Sequence, residues 1–136
     1  GQKDLQQAAV IKKMASDLNY GVSVVICPII REKDGLAMSS RNIYLTPEQR
    51  NSAAGIYASL KMAESMIRLG EDDPETVIKE VKRKIRESGM EPDYAEIVDP
   101  ETLEKKERIT GAAAVAAAAY AGKTRLIDNI IVDTAR

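Results

Sequence analysis

The sequence contains no histidine, no tryptophan and no phenylalanine, and it has a single cysteine, Cys27. Histidine is the commonest general base and metal ligand, so its absence excludes hydrolysis by a Ser-His or Cys-His pair within this chain. One cysteine cannot form an intramolecular disulfide. Because Cys27 ends the apolar run Val22–Cys27, we expect it to be a buried small side chain rather than a reactive thiol.

The chain also lacks a long apolar run and an excess of charge of one sign. No stretch approaches the length of about 18 residues that a membrane span needs, and the start does not resemble a signal peptide, which predicts a reduced, cytoplasmic setting and no membrane partner. The 20 basic and 21 acidic residues give a net charge of −1, without a block of either sign, so no nucleic-acid partner is expected. The 136 residues begin with Gly1 rather than methionine, which suggests a piece of a longer protein.

A helix followed by a strand is predicted at the start of the chain. Apolar residues recur at three- and four-residue steps between Lys3 and Asn19, which predicts an amphipathic helix with one buried stripe. The β-branched run Val22–Cys27 is typical of a strand buried on both faces in a parallel sheet. From Ile29 to Leu45 no period is sustained, as expected for a long functional loop. The predicted stripe consists of Leu5, Ala8, Ala9, Ile11, Met14, Ala15 and Leu18.

Two helices with clear start signals follow this loop. Thr46-Pro47-Glu48-Gln49 has the order of an N-cap, a proline at the first helical position and a capping-box glutamine, and this predicts a helix that runs to about Leu69. Asp73-Pro74 repeats the start signal for a second helix that ends near Gly89.

Strands are predicted at the end of the chain, with one ambiguous segment between them. The alternation in "DYAEIVDP" and in "RLIDNIIVD" indicates two short strands. The run "GAAAVAAAAYAG" lies between them. Alanine is the best helix former, but the bounding glycines and the position between two strands favour a buried strand. From the residues alone, helix and strand both remain open for 112–121.

Two polar clusters are candidate anion sites. Lys3 and Gln7 are one helical turn apart beside Asp4, and a helix amino terminus with a lysine favours a phosphate, although an ordinary polar helix start has the same composition. Ser39, Ser40 and Arg41 offer two hydroxyls and a planar guanidinium, which suit polyphosphate oxygens, although a surface loop can also have them. Met38 could lie against a flat ring or fill a core.

The combination of these segments is more specific than each of them. "GQKDLQQ", "CPIIREKDGLAMSSRNIYLTPEQR", "DYAEIVDPETLE" and "GKTRLIDNI" together resemble the carboxy-terminal half of the pantothenate synthetase family over essentially the whole chain. The resemblance implies a ligase that condenses pantoate with β-alanine, uses ATP and magnesium, and passes through a pantoyl adenylate with release of pyrophosphate. It also implies membership of the nucleotidyl-transferase superfamily that includes class I aminoacyl-tRNA synthetases.

The resemblance assigns roles to individual residues. "MSSRN" is similar to the family's form of the "KMSKS" loop, which places Met38 near the adenine and Ser39, Ser40 and Arg41 near the phosphates. The front segment resembles an ATP-binding "GxKD" motif, with Lys3 near the phosphates and Asp4 near the ribose, and Gln7 matches a pantoate-binding glutamine. The implied catalytic residues are Lys3, Ser39, Ser40 and Arg41. The implied ATP-binding residues are Gly1, Gln2, Lys3, Asp4, Ile30, Met38, Ser39, Ser40 and Arg41.

The resemblance also implies the fold, an α/β unit followed by an α+β domain. Residues 1–31 would be the last helix-strand unit of a Rossmann-like nucleotide-binding domain, and residues 32–136 a small lid domain with a three-stranded antiparallel sheet and helices. The alanine run would be the middle strand. A hinge is expected between Ile29 and Leu36, since Asp34-Gly35 can absorb a change in backbone angle.

Several parts of the family are not present in this sequence. The "HIGH"-type histidines, a second pantoate glutamine and the acidic residues near magnesium belong to the amino-terminal half, so this chain alone is expected to be inactive and to have no metal site of its own. The full-length enzyme is expected to be a homodimer. Two alternatives stay open: a non-catalytic module that binds a nucleotide or a partner protein, and half of another nucleotidyl transferase such as a tRNA synthetase, which would predict a basic face.

Overall fold

A three-stranded antiparallel sheet with two helices on one face forms the larger part of the molecule, and a short helix precedes it. The computed structural model describes residues 1–135. The helices are α1 (Leu5–Asp17), α2 (Pro47–Arg68) and α3 (Pro74–Glu87), and the strands are β1 (Glu91–Val98), β2 (Ala112–Ala121) and β3 (Thr124–Asp133). Short 3₁₀ turns cover Gln2–Asp4 and Ser40–Tyr44.

The starts of α2 and α3 are those that the sequence predicts. Thr46 Oγ1 accepts a hydrogen bond from the Gln49 N–H, and the Gln49 side chain accepts one from the Thr46 N–H, so the capping box is complete. The Asp73 carboxylate accepts hydrogen bonds from the N–H groups of Glu75 and Thr76. Both helices begin at the proline that follows the capping residue.

The alanine run forms the middle strand, β2, of the sheet with the order β1-β2-β3, which confirms the strand over the helix. β2 pairs with β1 from Glu91↔Tyr120 to Val98↔Ala114 and with β3 from Ala112↔Asp133 to Ala121↔Thr124. Its helix-facing residues are almost fully buried against the side chains of α2 and α3. Pairing on both edges satisfies the backbone groups of the strand, and this outweighs the helix propensity of alanine.

A β-bulge interrupts the pairing of β1 with β2. Pro92 pairs with Ala119 and Tyr94 with Ala118, which leaves Asp93 as the extra residue. A bulge redirects the side chain at the irregular position. Here the Asp93 carboxylate accepts a hydrogen bond of 2.9 Å from Arg125 Nε on β3.

The strand predicted at Val22–Cys27 is not formed. This segment belongs to no strand, and Val22 and Val25 are 63% and 79% exposed. A strand requires a hydrogen-bonded neighbour, and the sheet described within residues 1–135 consists only of β1, β2 and β3. Cys27 is exposed as a result, so the expectation of a buried thiol was also wrong.

The apolar stripe on α1 is buried only in part. Leu5, Ala9 and Ala15 are each 8% exposed, and Leu5 packs with Val98 and Ala114 on the sheet face opposite α2 and α3. The other large side chains of the stripe are about half exposed. They are Ile11 (43%), Met14 (47%) and Leu18 (56%).

Candidate functional site

A cleft of about 600 Å³ lies between the start of the chain, the loop after Pro28 and the beginning of β3. The structure brings all nine residues of the predicted ATP-binding set into its lining, from two segments that are separated by more than 25 positions in the sequence. Gln7, the residue predicted to bind pantoate, does not line this cleft. It lines a neighbouring cleft of about 540 Å³, and Lys3 and Asp4 line both clefts.

The first wall of the cleft is the 3₁₀ turn Gln2–Asp4. Its Gln2 N–H donates a hydrogen bond of 2.8 Å to the Cys27 carbonyl. The Asn129 side chain on β3 donates to the carbonyls of Gln2 and Lys3 at 2.9 and 3.2 Å. The turn is therefore fixed through its main chain, and the side chains of Lys3 and Asp4 line the cleft.

The second wall is the loop that carries the Met-Ser-Ser-Arg sequence. The Met38 N–H donates to the Ile30 carbonyl at 2.9 Å, so the two ends of the segment between Ile30 and Met38 lie next to each other. Ser39 Oγ accepts a hydrogen bond of 3.2 Å from the Arg41 N–H and caps the turn Ser40–Tyr44. Asn42 Nδ2 donates to the Ala37 carbonyl at 3.2 Å. These bonds hold the loop's main chain and leave Ile30 and Met38 71% and 49% exposed.

The base of this loop is anchored to β3 by an ion pair. The Arg31 guanidinium donates to both oxygens of the Asp128 carboxylate, at 2.6 and 2.9 Å, and the side chains are 18% and 3% exposed. Arg31 also lies over the Tyr57 ring, 4.0 Å from its centroid, a cation-π contact. Burial raises the pKa of the Asp128 carboxyl above its ordinary value, and the hydrogen bonds from Arg31 oppose that rise.

The third wall is the start of β3, where Arg125 was not predicted. Arg125 lines both clefts, and its carbonyl accepts a hydrogen bond of 3.3 Å from Arg41 Nη1. Its guanidinium bonds the Asp93 carboxylate, which raises the pKa of Arg125, and lies 5.6 Å from the centroid of the Tyr94 ring. Together with Lys3 and Arg41, Arg125 gives the cleft three positive groups.

Sequence patterns could not have found Arg125 by spacing, because its position depends on the register of β3 and on the bulge at Asp93. The family-like segment "GKTRLIDNI" was the only signal available. Asn129 and the Arg31–Asp128 pair were missed for the same reason, since their partners lie about 100 positions or more away in sequence.

Two features are absent from the described part of the chain. Residues 1–135 contain no group of three or more acidic, cysteine or histidine side chains arranged to hold a metal ion. No helix among them has the length and apolar character needed to cross a membrane.

Comparison with known proteins gives consistent matches over almost the whole chain. The model of the family described as pantoate-beta-alanine ligase matches residues 1–131. The pantothenate synthetase of Acetivibrio thermocellus is 52% identical over 134 residues, which cover 98% of this chain and 48% of that protein. The chain thus spans about half the length of the curated relatives it matches, which is consistent with their carboxy-terminal half.

Two solved structures are also similar. The pantothenate synthetase of Thermus thermophilus matches with a TM-score of 0.88 at 37% identity, over 96% of this chain and 47% of that one. A pantoate-beta-alanine ligase from Francisella tularensis, solved in complex with β-γ ATP and β-alanine, matches with a TM-score of 0.64 at 30% identity, over 96% of this chain and 41% of that one. The chain described by this fold and this cleft belongs to the pantoate-beta-alanine ligase family.

Proposed function

We propose that this chain is the carboxy-terminal part of a ligase that condenses pantoate with β-alanine to give pantothenate. ATP is consumed through a pantoyl adenylate, with release of pyrophosphate and AMP. The observation that carries the proposal is the convergence of all nine predicted ATP contacts on one cleft in a member of this family. The Francisella ligase that shares the fold was solved with an ATP ligand and β-alanine, and this supports ATP as the occupant.

The cleft residues suit the first step chemically. When the pantoate carboxylate attacks the α-phosphorus, negative charge develops on the equatorial oxygens and on the leaving pyrophosphate. Lys3, Ser39, Ser40 and Arg41 supply an ammonium, two hydroxyls and a guanidinium around that position, and a fixed loop main chain keeps them oriented before reaction. No nucleophilic side chain is needed, which agrees with the absence of histidine.

The remaining assignments concern the adenine and ribose of ATP and the substrate pantoate. Met38 and the Ile30 main chain receive the adenine, and Asp4 receives the ribose. Gln7 binds pantoate from the adjoining cleft. Because Lys3 and Asp4 line both clefts, their junction is where the carboxylate and the α-phosphate meet.

The exposed apolar surface of the first 31 residues is the proposed seam with the amino-terminal half. Val22, Val25 and Ile26 have no sheet neighbour, and the large apolar side chains on the outer part of α1 are about half exposed. Pairing with a parallel sheet would bury these groups. The magnesium ligands are proposed to lie in that half. The complete enzyme is proposed to be a cytoplasmic homodimer.

The two-part organisation, residues 1–31 and 32–136, is also a proposal. Arg31 is bonded to Asp128 and Asp34 to Arg50, so the distal part of the predicted hinge is tied to the sheet and to α2. We therefore place the pivot of any lid movement at the first part of the predicted segment Ile29–Leu36, which is Ile29–Ile30.

The alternatives have less support. A non-catalytic binding module would have no physical reason to assemble the complete phosphate-binding set together with Gln7. Half of a tRNA synthetase would be expected to show a basic face, whereas the net charge is −1. The family match also favours the ligase.

The test is an AMP-release assay with pantoate, β-alanine, ATP and magnesium. The 136-residue chain alone should show no turnover and at best millimolar affinity for ATP, because one wall of the site is open to water and its contacts are screened. Adding the amino-terminal half of the Acetivibrio relative in trans should restore activity. Arg41→Ala in the chain should abolish that restoration, whereas Arg108→Ala, at an exposed ion pair with Asp72, should not. Robust turnover by the chain alone would contradict the proposal.

A further inference from the structure

Asn129 uses its whole side-chain amide to hold two consecutive residues of the front turn. The side chain is on β3 and the residue is 2% exposed. Its Nδ2 donates to the carbonyls of Gln2, at 2.9 Å, and Lys3, at 3.2 Å, and its Oδ1 accepts a hydrogen bond of 3.2 Å from Gln2 Nε2. Both amide hydrogens and the oxygen are therefore satisfied by Gln2 and Lys3.

The Asn129 main chain is itself fixed by the neighbouring ion pair. Its N–H donates to Asp128 Oδ1 at 2.8 Å, and its carbonyl accepts a hydrogen bond of 3.3 Å from Arg31 Nη2. Since Arg31 begins the loop that leads to Met38, one short piece of β3 contacts both walls of the cleft. Arg125, four residues earlier, makes a further contact with Arg41 through its carbonyl.

We propose that Asn129 is a positioning residue that sets the Lys3 ammonium relative to the phosphate-binding loop. The inference rests on the proposed ATP site. The contacts go to carbonyls and not to the Lys3 Nζ atom, so they fix the backbone and leave the ammonium available for a phosphate. Two carbonyl acceptors require two N–H donors, which an asparagine has and an isosteric aspartate lacks.

Loss of the Asn129 amide would leave the Gln2 and Lys3 carbonyls without their donors. A buried position with two carbonyls aimed at it leaves those acceptors unsatisfied if the donors are removed, which favours displacement of the turn. Displacement of a phosphate-binding lysine by about 1 Å can reduce a rate by about a hundredfold. Pantoate binding through Gln7 depends less on this turn, because Gln7 belongs to α1.

The first experiment measures order in the turn. Backbone order parameters of Gln2, Lys3 and Asp4 are compared between the 136-residue chain, Asn129→Asp and Asn129→Ala. We expect values near 0.85 in the wild type and below about 0.6 in both variants. The matched controls Asn51→Asp and Asn51→Ala, at an exposed position on α2, should change nothing in the turn. Unchanged order in both Asn129 variants would overturn the proposal.

The second experiment measures binding in the complete enzyme that contains this chain. Titration with ATP and, separately, with pantoate should show about tenfold weaker ATP binding in Asn129→Asp and pantoate affinity within about twofold of wild type. Equal losses for both ligands would indicate a merely structural role and would overturn the inference. An enzyme that binds ATP but has no ligase turnover would contradict the proposed function, and the same titrations would still decide the role of Asn129.

A third measurement covers the case in which neither variant folds. In the wild-type chain the two Asn129 Nδ2 protons should exchange with solvent at least about tenfold more slowly than those of the exposed Asn51. Fast exchange of the Asn129 amide would show that the two carbonyl contacts are not maintained, and that would refute the proposal without any substitution.

Discussion

Removal of Arg31 should destabilise the fold far more than removal of an average surface arginine. The Arg31→Met variant leaves the Asp128 carboxylate, 3% exposed, without its guanidinium partner in a site that already raises its pKa. Breaking a buried ion pair by removing one partner costs about 3–5 kcal/mol. Since the Arg31 side chain is 18% exposed, the lower end, about 3 kcal/mol, is the expected loss at neutral pH.

The reverse substitution should cost less. In Asp128→Asn the guanidinium keeps its contact with the Tyr57 ring and its hydrogen bond to the Gly35 carbonyl, and it is closer to solvent than the carboxylate was. We expect a loss of about 1–2 kcal/mol. The double variant Arg31→Met/Asp128→Leu should recover much of the loss, because an apolar pair of similar volume often replaces a buried ion pair at little cost.

The assay is urea unfolding of the 136-residue chain, followed by circular dichroism. With a slope of about 1.5 kcal/mol per molar urea, a loss of about 3 kcal/mol moves the midpoint by about 2 M. Arg108→Met, at an exposed pair, is the matched control and should move it by less than about 0.7 M. Equal and small shifts in Arg31→Met and Arg108→Met would refute the reasoning.

The pH dependence separates the charge effect from lost packing. Without Arg31, the folded-state pKa of Asp128 rises further, because burial is then opposed only by the hydrogen bond from the Asn129 N–H and by the charge of Lys3. A raised folded-state pKa means that the stability difference from wild type is smallest below the unfolded-state pKa near 4 and grows as the pH rises through the folded-state value. A difference that is the same at pH 4 and pH 7 would assign the loss to packing instead.

Three further outcomes are expected. Gly35→Ala should lose about 2 kcal/mol or more in the same urea assay, since Gly35 has φ of +95° and a Cβ there would collide with the Tyr57 ring; wild-type stability would contradict this. Asp73→Ala should lower the urea midpoint because its two capping bonds are lost, and the helix signal in circular dichroism reports whether α3 frays. In the complete enzyme, Arg41→Ala should slow single-turnover adenylation more than it weakens pantoate binding, and Gln7→Ala should do the reverse; equal effects of both changes on both quantities would contradict the assignment.

The elements that the sequence predicted correctly are those determined by neighbouring residues. The capping box of Thr46 and Gln49 and the Asp73 cap act within three positions, so their pattern is visible in the sequence. The strand β2 needed more than local information. Alanine favours helix, and only the two predicted strands on either side and the family resemblance argued for pairing.

The predicted strand Val22–Cys27, which is not formed, shows where local sequence patterns are insufficient. The composition of Val22–Cys27 is that of a buried strand, but burial and hydrogen bonding need partners that residues 1–135 do not provide. The exposure of Cys27 follows directly from this. The residue pattern of a segment indicates whether it is suited to a buried strand. Whether it forms one depends on the neighbouring strands that the rest of the fold provides.

The residues of the candidate site likewise fall into two groups, those that local motifs predicted and those that they did not. The residues proposed to touch ATP were named from short motifs, and the structure collects them in one cleft. The residues that support them, Arg31, Asp128 and Asn129, lie within the quoted family segments, but no local pattern gave them a role. Their importance comes from β-sheet register and from contacts across about 100 positions or more, which no local pattern encodes.

The alanine-rich strand constrains how this protein can change over evolutionary time. Ala113, Ala117 and Ala119 are fully buried against the helical layer, so a larger residue at any one of them has no free volume to enter. Such overpacking costs about 1–3 kcal/mol, and a domain has only about 5–15 kcal/mol of stability in total. Two such enlargements would together cost about 2–6 kcal/mol, a large share of that stability. Larger side chains on β2 are therefore expected together with smaller side chains on α2 or α3. Sequence change at these positions should proceed by paired substitutions rather than single ones.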